Sequence, residues 1–387
     1  MGNWITCTIA DIGTVVGGAT PSTKKAENYA GGTIAWITPK DLADFSARFI
    51  SGGARNITEI GLKSCSTQIM PKHTILFSSR APIGYIAIAA NEVCTNQGFK
   101  SVIPNESIDY MFLYYLLKYN KENIERLGSG TTFKEISAAT MRGIQIRIPE
   151  SLDEQKIIAR VLSALDDKIE KNMRINDNLL QQAESIFTHY YDASTEQASF
   201  TALISVLGGG TPKTGISDFW NGPIPFFTPK DVGTPYTFQT EKYITESGLA
   251  HCNSRLYPKN TSFVTARGTV GKVSLAGKPM AMNQSCYALA SDSINPLMVY
   301  FYALKAVASL KHKASGAVFD AIVTRDFDTE IVNVLNAEDS EVVLLTISPM
   351  MEAIHSNAEE NIRLSNLRDA LLPRLMSGEI DVSNLAF

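Results

Sequence analysis

Residues 15–23 read VVGGATPST and residues 206–214 read VLGGGTPKT; residues 34–42 read IAWITPKDL and residues 224–232 read IPFFTPKDV. Working outward, a constant spacing pairs Gly61-Leu62 with Gly248-Leu249, Cys65 with Cys252, Pro71-Lys72 with Pro258-Lys259, Arg80 with Arg267, Gly84 with Gly271, and Asn96-Gln97 with Asn283-Gln284. One residue less pairs Ser129-Gly130 and Phe133 with Ser315-Gly316 and Phe319. Identities held at near-constant spacing mark an internal duplication, so the chain consists of two homologous halves of roughly 190 residues each.

The 387 residues suggest two or three domains. With 44% hydrophobic and 19% charged residues, disordered and fibrous classes are excluded. The net charge of −4 argues against an indiscriminate polyanion binder, which ordinarily carries a large basic excess. Five widely spaced cysteines, Cys7, Cys65, Cys94, Cys252 and Cys286, form no C-x-x-C or Cys/His cluster, so reduced thiols in a cytoplasmic protein are expected. The start, Met1 to Cys7, lacks the basic and apolar regions of a signal peptide. No apolar stretch approaches the ~20 residues that a membrane span needs.

Within each half the first ~145 residues alternate short β runs with Gly and Pro, as in Thr74–Phe77, Tyr85–Ala89, Thr261–Val264 and Lys272–Ala276. One apolar helix is expected in each, Met111–Tyr119 and Leu297–Ala306, giving an α+β unit. A period of 3.5 then takes over. Its core positions are Leu162, Leu165, Ile169, Asn172, Asn176, Leu179, Ala183, Ile186 and Tyr190, and later Ile347, Met350, Ile354, Asn357, Asn361, Leu364, Arg368 and Leu371. A buried Asn destabilises a coiled coil but fixes its register, because it must face another hydrogen-bonding group. Antiparallel pairing that opposes Asn172 to Asn361 and Asn176 to Asn357 also opposes apolar residues throughout, with Leu165 against Arg368 the one poor match. Sliding one heptad would set Asn against Ile. The expected architecture is therefore α+β: two homologous domains, 1–150 and 194–335, separated by two long helical segments, 151–193 and 336–387, which form an intramolecular antiparallel coiled coil. A parallel homodimer through one helix is the alternative.

Charge segregates along these boundaries. Residues 1–150 carry 15 basic and 12 acidic side chains, and residues 194–335 carry 12 and 10; segment 151–193 carries 5 and 8, and segment 336–387 carries 3 and 9. Mildly basic globular units suit contact with phosphate, and acidic helices suit contact with protein. Catalytic signatures are missing. Gly268–Val273 has the wrong spacing for a phosphate loop and Val where Ser/Thr would bind magnesium, and Gly208–Gly215 lacks the Gly before Lys213. His73, His189, His251, His312 and His355 show no metal spacing, and no G-x-S-x-G is present. The sequence reads as a non-enzyme with no metal site.

The order of globular unit, long helix, globular unit, long helix resembles the specificity subunits of type I restriction–modification systems, over the whole chain. Gly17–Pro21, Trp36–Leu42, Ser79–Gly84, Thr95–Gly98 and Gly128–Ile136 carry the resemblance, with Glu154–Ala159 leading into the first helix. The second copy repeats them at 208–212, 226–232, 266–271 and 283–284 and ends in Leu371–Ile380. It departs at Leu335–Ile347, where Pro149, Gln155 and Ile158 have no evident counterparts. The resemblance implies two target recognition domains, each reading one half of a split double-stranded DNA site. It implies helices that dock two modification (methyltransferase) subunits, to which restriction (endonuclease) subunits can be added. S-adenosylmethionine would sit on the modification subunits, with no cofactor in this chain and no membrane. A helix of about 35 residues is roughly 50 Å long, enough to space two readers by more than one turn of DNA.

The duplication also sorts residues, because what both units share cannot distinguish two half-sites. Lys40/Lys230 and Arg80/Arg267 are expected on the DNA backbone, with turn stabilisation as the alternative. Gly84/Gly271 and Pro39/Pro229 read as turn residues, and Asn96-Gln97/Asn283-Gln284 as internal hydrogen-bonders in preference to base contacts. Base readers are expected where the copies diverge: Asp44–Asn56 against Gly233–Lys242, Ser78 against Thr265, and Thr131-Thr132-Lys134 against Ala317-Val318-Asp320. Arg48, Arg55, Lys134, Gln239 and Lys242 offer donors there. Two rival readings remain. A tandem carbohydrate- or protein-binding module predicts no DNA affinity with or without partners, and a stand-alone nuclease predicts metal-dependent turnover by the isolated chain.

Overall fold

A computed structural model describes residues 3–43, 45–130, 134–313 and 321–382. The chain forms two compact units, Met1–Glu170 with Arg363–Phe387, and Lys171–Ile362. Each unit contains one globular lobe and a stretch of both long helices, Leu152–Ala193 and Ala337–Met376.

In the first unit the strands are β1 (Trp4–Thr8), β2 (Gly13–Gly17), β3 (Ile34–Ile37), β4 (Phe49–Ile50), β5 (Arg55–Ile57), β6 (Ile75–Ser79), β7 (Ile83–Ala89), β8 (Cys94–Thr95), β9 (Lys100–Pro104) and β10 (Gln145–Pro149). They form sheets ordered β2-β9-β6-β7-β4, β5-β3-β8 and β1-β10. The second unit has β11 (Gln197–Ser199), β12 (Ser205–Gly208), β13 (Trp220–Phe227), β14 (Tyr236–Thr237), β15 (Lys242–Ile244), β16 (Ser262–Thr265), β17 (Val273–Ala276), β18 (Ala281–Met282), β19 (Cys286–Ala290) and β20 (Ile331–Asn333). Its sheets run β12-β19-β16-β17-β14, β15-β13-β18 and β11-β20, the same topology strand for strand.

The central strands β6 and β16 are buried along their whole length, which explains their unbroken apolar and hydroxyl composition. A helix packs on each five-stranded sheet. Tyr110–Tyr119 is capped by Asp109, whose carboxylate accepts from the Phe112 N–H at 2.9 Å, and it buries Phe112 to Leu117. Its counterpart, expected over Leu297–Ala306, runs from Pro296 to Lys313.

The long helices pair antiparallel inside each unit. In the first, Ile158, Ala159 and Leu162 share a core with Leu372, Leu375 and Met376. In the second, Leu180, Ala183 and Phe187 share a core with Val343, Ile347, Met351 and Ile354. The Asn172 amide donates to Asn361 Oδ1 at 2.9 Å, and the Asn357 amide to Asn176 Oδ1 at 2.8 Å. Both are the oppositions that the register requires. The mismatch at Arg368 is resolved one residue away from Leu165. Its guanidinium donates to Asp166 Oδ1 at 2.6 Å, and Asp166 Oδ2 accepts from the Tyr115 hydroxyl at 2.6 Å. The C-terminal helix starts without the Pro and Gln of the first copy. Asn336 caps it instead, its Oδ1 accepting from the Asp339 N–H at 2.8 Å.

Candidate nucleic-acid interface

The shared Thr-Pro-Lys-Asp motif is a device for presenting cations. In the first unit Asp41 Oδ2 accepts from the Thr38 N–H and hydroxyl, both at 2.7 Å, closing a 3-10 turn with Pro39 at its start and Lys40 exposed. The other oxygen, Oδ1, accepts from the Ala54 N–H at 2.8 Å, so the same carboxylate pins the turn to the residue preceding Arg55. Arg55 then pairs with Trp36 across β3 and β5, and its guanidinium lies 6.0 Å from the centre of the Tyr29 ring. Trp36, Thr38, Lys40, Asp41, Ala54 and Arg55 line a cavity of about 590 Å³.

The second unit repeats this bond for bond. Asp231 Oδ2 accepts from the Thr228 N–H at 2.8 Å and the Thr228 hydroxyl at 2.6 Å, and Oδ1 accepts from the Glu241 N–H at 2.7 Å. Glu241 precedes Lys242, which pairs with Phe226 across β13 and β15 and lies 5.7 Å from the Trp220 ring. Lys230, Lys242 and Arg267 line one cavity of about 360 Å³ together with Thr228, Asn283 and Ser285. Lys230 also meets Glu241 at 3.6 Å, an exposed pair that contributes little.

Arg55 and Lys242 therefore occupy one structural position, although sequence reasoning placed both among divergent residues. The constant spacing that aligns Pro71-Lys72 with Pro258-Lys259 also aligns these two, but the dissimilar loops around them hid it. By the rule that shared residues cannot distinguish half-sites, they group with Lys40/Lys230.

Two expectations need correction. Arg48 is buried, with 4% of its surface exposed, and is committed to carboxylates on the central long helix. Its Nε donates to Glu170 Oε1 at 2.9 Å and its Nη2 donates to Asp167. Burial opposes the charge, but the two acidic partners outweigh it and hold the guanidinium protonated more firmly than usual. It is a structural tie and is unavailable to a base edge. Ser78 and Thr265, taken as a divergent pair, are both fully buried and do one job. Each hydroxyl closes a hairpin: Ser78 donates to Pro82 O and accepts from the Tyr85 N–H, both at 2.8 Å, while Thr265 donates to Thr269 O and accepts from the Lys272 N–H at 2.9 Å.

The remaining assignments divide plainly. Asn96 Oδ1 accepts from the Gly98 N–H at 2.8 Å and Asn283 Oδ1 from the Ser285 N–H at 3.0 Å. Gln97 and Gln284 accept from the Thr20 and Thr211 hydroxyls, so both pairs make internal bonds. They hold the glycine loops against the sheet. A Cβ on Gly18 would sit 2.0 Å from Thr95 O, and one on Gly209 2.1 Å from Asn283 O. Gly84 and Gly271 adopt positive φ, of 92° and 70°, as turn residues do. Arg80 faces Glu135 at 3.6 Å, and Lys100 faces the same carboxylate at 3.3 Å. Lys134, Gln239 and Arg267 are exposed. Asp44, Thr131, Thr132, Phe133, Ser315, Gly316, Ala317, Val318, Phe319 and Asp320 lie outside the described residues. Among the described residues, no group of His, Cys, Asp and Glu could hold a metal ion, and no helix is long and apolar enough to cross a membrane.

Two lobes of one topology, each with a pinned pair of cations and each packed with a stretch of both long helices, define an internally duplicated α+β protein. The sequence model of the type I restriction modification DNA specificity domain matches residues 1–181 and 201–362, and the chain belongs to that family. It is 31% identical to the type I restriction enzyme MjaIX specificity subunit of Methanocaldococcus jannaschii, over 99% of this chain and 95% of that one. It is 22% identical to the type I restriction enzyme HindI specificity subunit of Haemophilus influenzae, over 73% of this chain and 80% of that one. Its fold matches the crystal structure of a type I restriction–modification S subunit from M. genitalium with a TM-score of 0.61, at 15% identity, covering 97% of this chain and 96% of that one.

Proposed function

We propose that this chain is the noncatalytic DNA-specificity subunit of a type I restriction–modification complex. Each lobe reads one half of an asymmetric, gapped, double-stranded site. The acidic helices dock two modification subunits, which supply S-adenosylmethionine and methylate adenine, and restriction subunits join that core. The observation that carries the reading is the duplicated ridge: Lys40 with Arg55 and Lys230 with Lys242 are held by identical carboxylate bonds, whereas the neighbouring loops differ. Shared cations suit phosphate, which is the same in every sequence, and the differing loops suit bases. The lobes carry only a small basic excess, so tight DNA binding belongs to the complex.

The test is co-expression with modification subunits encoded beside it, followed by mapping of methylated adenines. A gapped, two-part site is expected, and exchanging residues 1–150 for those of a relative should change one part only. A change in both parts would refute one lobe per half-site. Within the intact complex, Lys40→Ala and Lys230→Ala should lower methylation without altering the site.

A further inference from the structure

The two units differ at the start of their long helices. In the first, Gln155 is fully buried and acts as a plug. Its Oε1 accepts from the Asp109 N–H at 2.9 Å, and its amide donates to Pro149 O at 2.9 Å and Ser107 O at 3.3 Å. The helix caps align the second unit with it. Gln155 N–H donates to Ser151 O, and Ser340 N–H donates to Asn336 O, so Ser340 stands where Gln155 does. Likewise Ser293, Asn295 and Leu335 stand where Ser107, Asp109 and Pro149 do. Beside Ser340, which is too short to reach the groups that Gln155 reaches, lies a cavity of about 440 Å³, lined among others by Ser293, Asn295, Met298, Leu335, Ser340 and Leu344. The Asn295 N–H and the Ser293 carbonyl, counterparts of two groups that Gln155 satisfies, make no hydrogen bond among the described residues, and both residues are exposed at the mouth of the cavity.

A second difference falls on the same elements. Leu345 is 70% exposed, and Ile331 and Val342 are exposed with it. Leu345 and Val342 lie within one helical turn of the lining residues Glu341 and Leu344, and Ile331 is on the strand leading to Leu335. The matching positions of the first unit hold Arg160, Gln145 and the half-buried Ile157. An apolar surface around a polar-ended cavity suits an inserted side chain of a docked polypeptide better than a free solute.

We infer that this cavity receives a glutamine side chain from a modification subunit docked at the start of the C-terminal helix, taking the place that Gln155 fills from within in the first unit. This rests on the proposed function. The first site is closed by the chain's own residue and the second by its partner, so two identical modification subunits bind unequally.

The full-length chain is titrated with the purified modification subunit, and backbone hydrogen exchange is read with and without it. Segments 293–298 and 334–344 should gain protection that segments 107–112 and 148–159 lack. Ser340→Gln, which supplies the plug internally, should abolish that gain and weaken one of the two binding steps by roughly tenfold. One glutamine-to-alanine change in the modification subunit should do the same. If both subunits bind but exchange at 334–344 is unchanged, or the variant binds like the parent, the cavity assignment is overturned and the proposed function stands. If the modification subunit does not bind the parent chain at all, both fall. Should Ser340→Gln fail to fold, the exchange pattern of the parent decides.

Discussion

The first unit fastens its lobe to the long helices with buried charge, and the second does so with apolar and aromatic side chains. Asp166 lies six residues before Asn172, and Met351 lies six before Asn357; Arg368 lies seven after Asn361, and Ala183 seven after Asn176. Tyr115 lies six after the cap Asp109, and Phe301 six after Asn295. One trio, Tyr115, Asp166 and Arg368, is bound through hydrogen bonds and an ion pair. Its counterpart, Phe301, Met351 and Ala183, lies in a single apolar core. Nearby, Arg48 binds Asp167 and Glu170, whereas in the second unit His355 Nε2 meets Gly277 O at 2.8 Å and packs against Phe238 and Tyr236. A buried ionic set makes every member indispensable while adding little as a set, because desolvation offsets its attraction. An apolar set tolerates change one residue at a time.

The largest effect should follow from removing one member of the charged trio. Asp166→Leu strands a mostly buried guanidinium and a phenolic hydroxyl, at a cost of about 3 kcal/mol, the low end for a broken buried pair because Asp369 still faces Arg368 at 2.9 Å. The first unit's melting temperature should fall by roughly 10 °C. Met351→Leu in the second unit should cost less than about 1.5 kcal/mol. Equal losses in urea titrations of the two variants would break the contrast. Next in size, Arg48→Met should cost about 2 kcal/mol, less than Asp166→Leu, because of its two partners only Glu170, 18% exposed, is stranded, whereas Asp167 is 67% exposed and can be rehydrated.

Replacing the whole trio should cost far less than replacing one member. Tyr115→Phe with Asp166→Met and Arg368→Ala installs the second unit's residues in the first, and stability should stay within about 1 kcal/mol of the parent. A loss as large as that of Asp166→Leu alone would show that the first lobe needs its charges for more than internal satisfaction.

The register was legible in the sequence because two asparagines on each helix leave one alignment that opposes Asn to Asn. The topology was legible as a duplication, since each Gly, Pro and Asn-Gln pair keeps its spacing. The cation ridge was half legible. Lys40 and Lys230 sit inside a motif, but Arg55 and Lys242 differ in residue type and are flanked by unlike loops, and only strand pairing shows them equivalent. Arg48 was misread because nothing local reveals that its partners, Asp167 and Glu170, lie more than a hundred residues away on a helix. The cavity beside Ser340 was visible only as a missing glutamine.

The smallest effect separates the trios by pH. Burial, then the neighbouring Asp166 carboxylate and its hydrogen bond, push the Tyr115 phenol well above its ordinary value of 10.0. The folded state thus holds that proton more tightly than the unfolded state. Its contribution is complete below about pH 10 and is lost as pH climbs above it. Phe301 has no proton to lose at the equivalent place. Tyr115→Phe should cost about 1 kcal/mol at pH 8, the net worth of the bond to Asp166. Above pH 10 the gap to the parent should close by up to about 1.4 kcal/mol per pH unit, since one titrating proton has been removed from the balance. Tyr114 and Tyr300, also buried and shifted upward, are present in both proteins and cancel in the difference. Urea midpoints at pH 8, 10 and 11 measure that gap. A constant gap would mean that the phenol is not held in its protonated form by burial, and the first unit would then be no more polar in its energetics than the second.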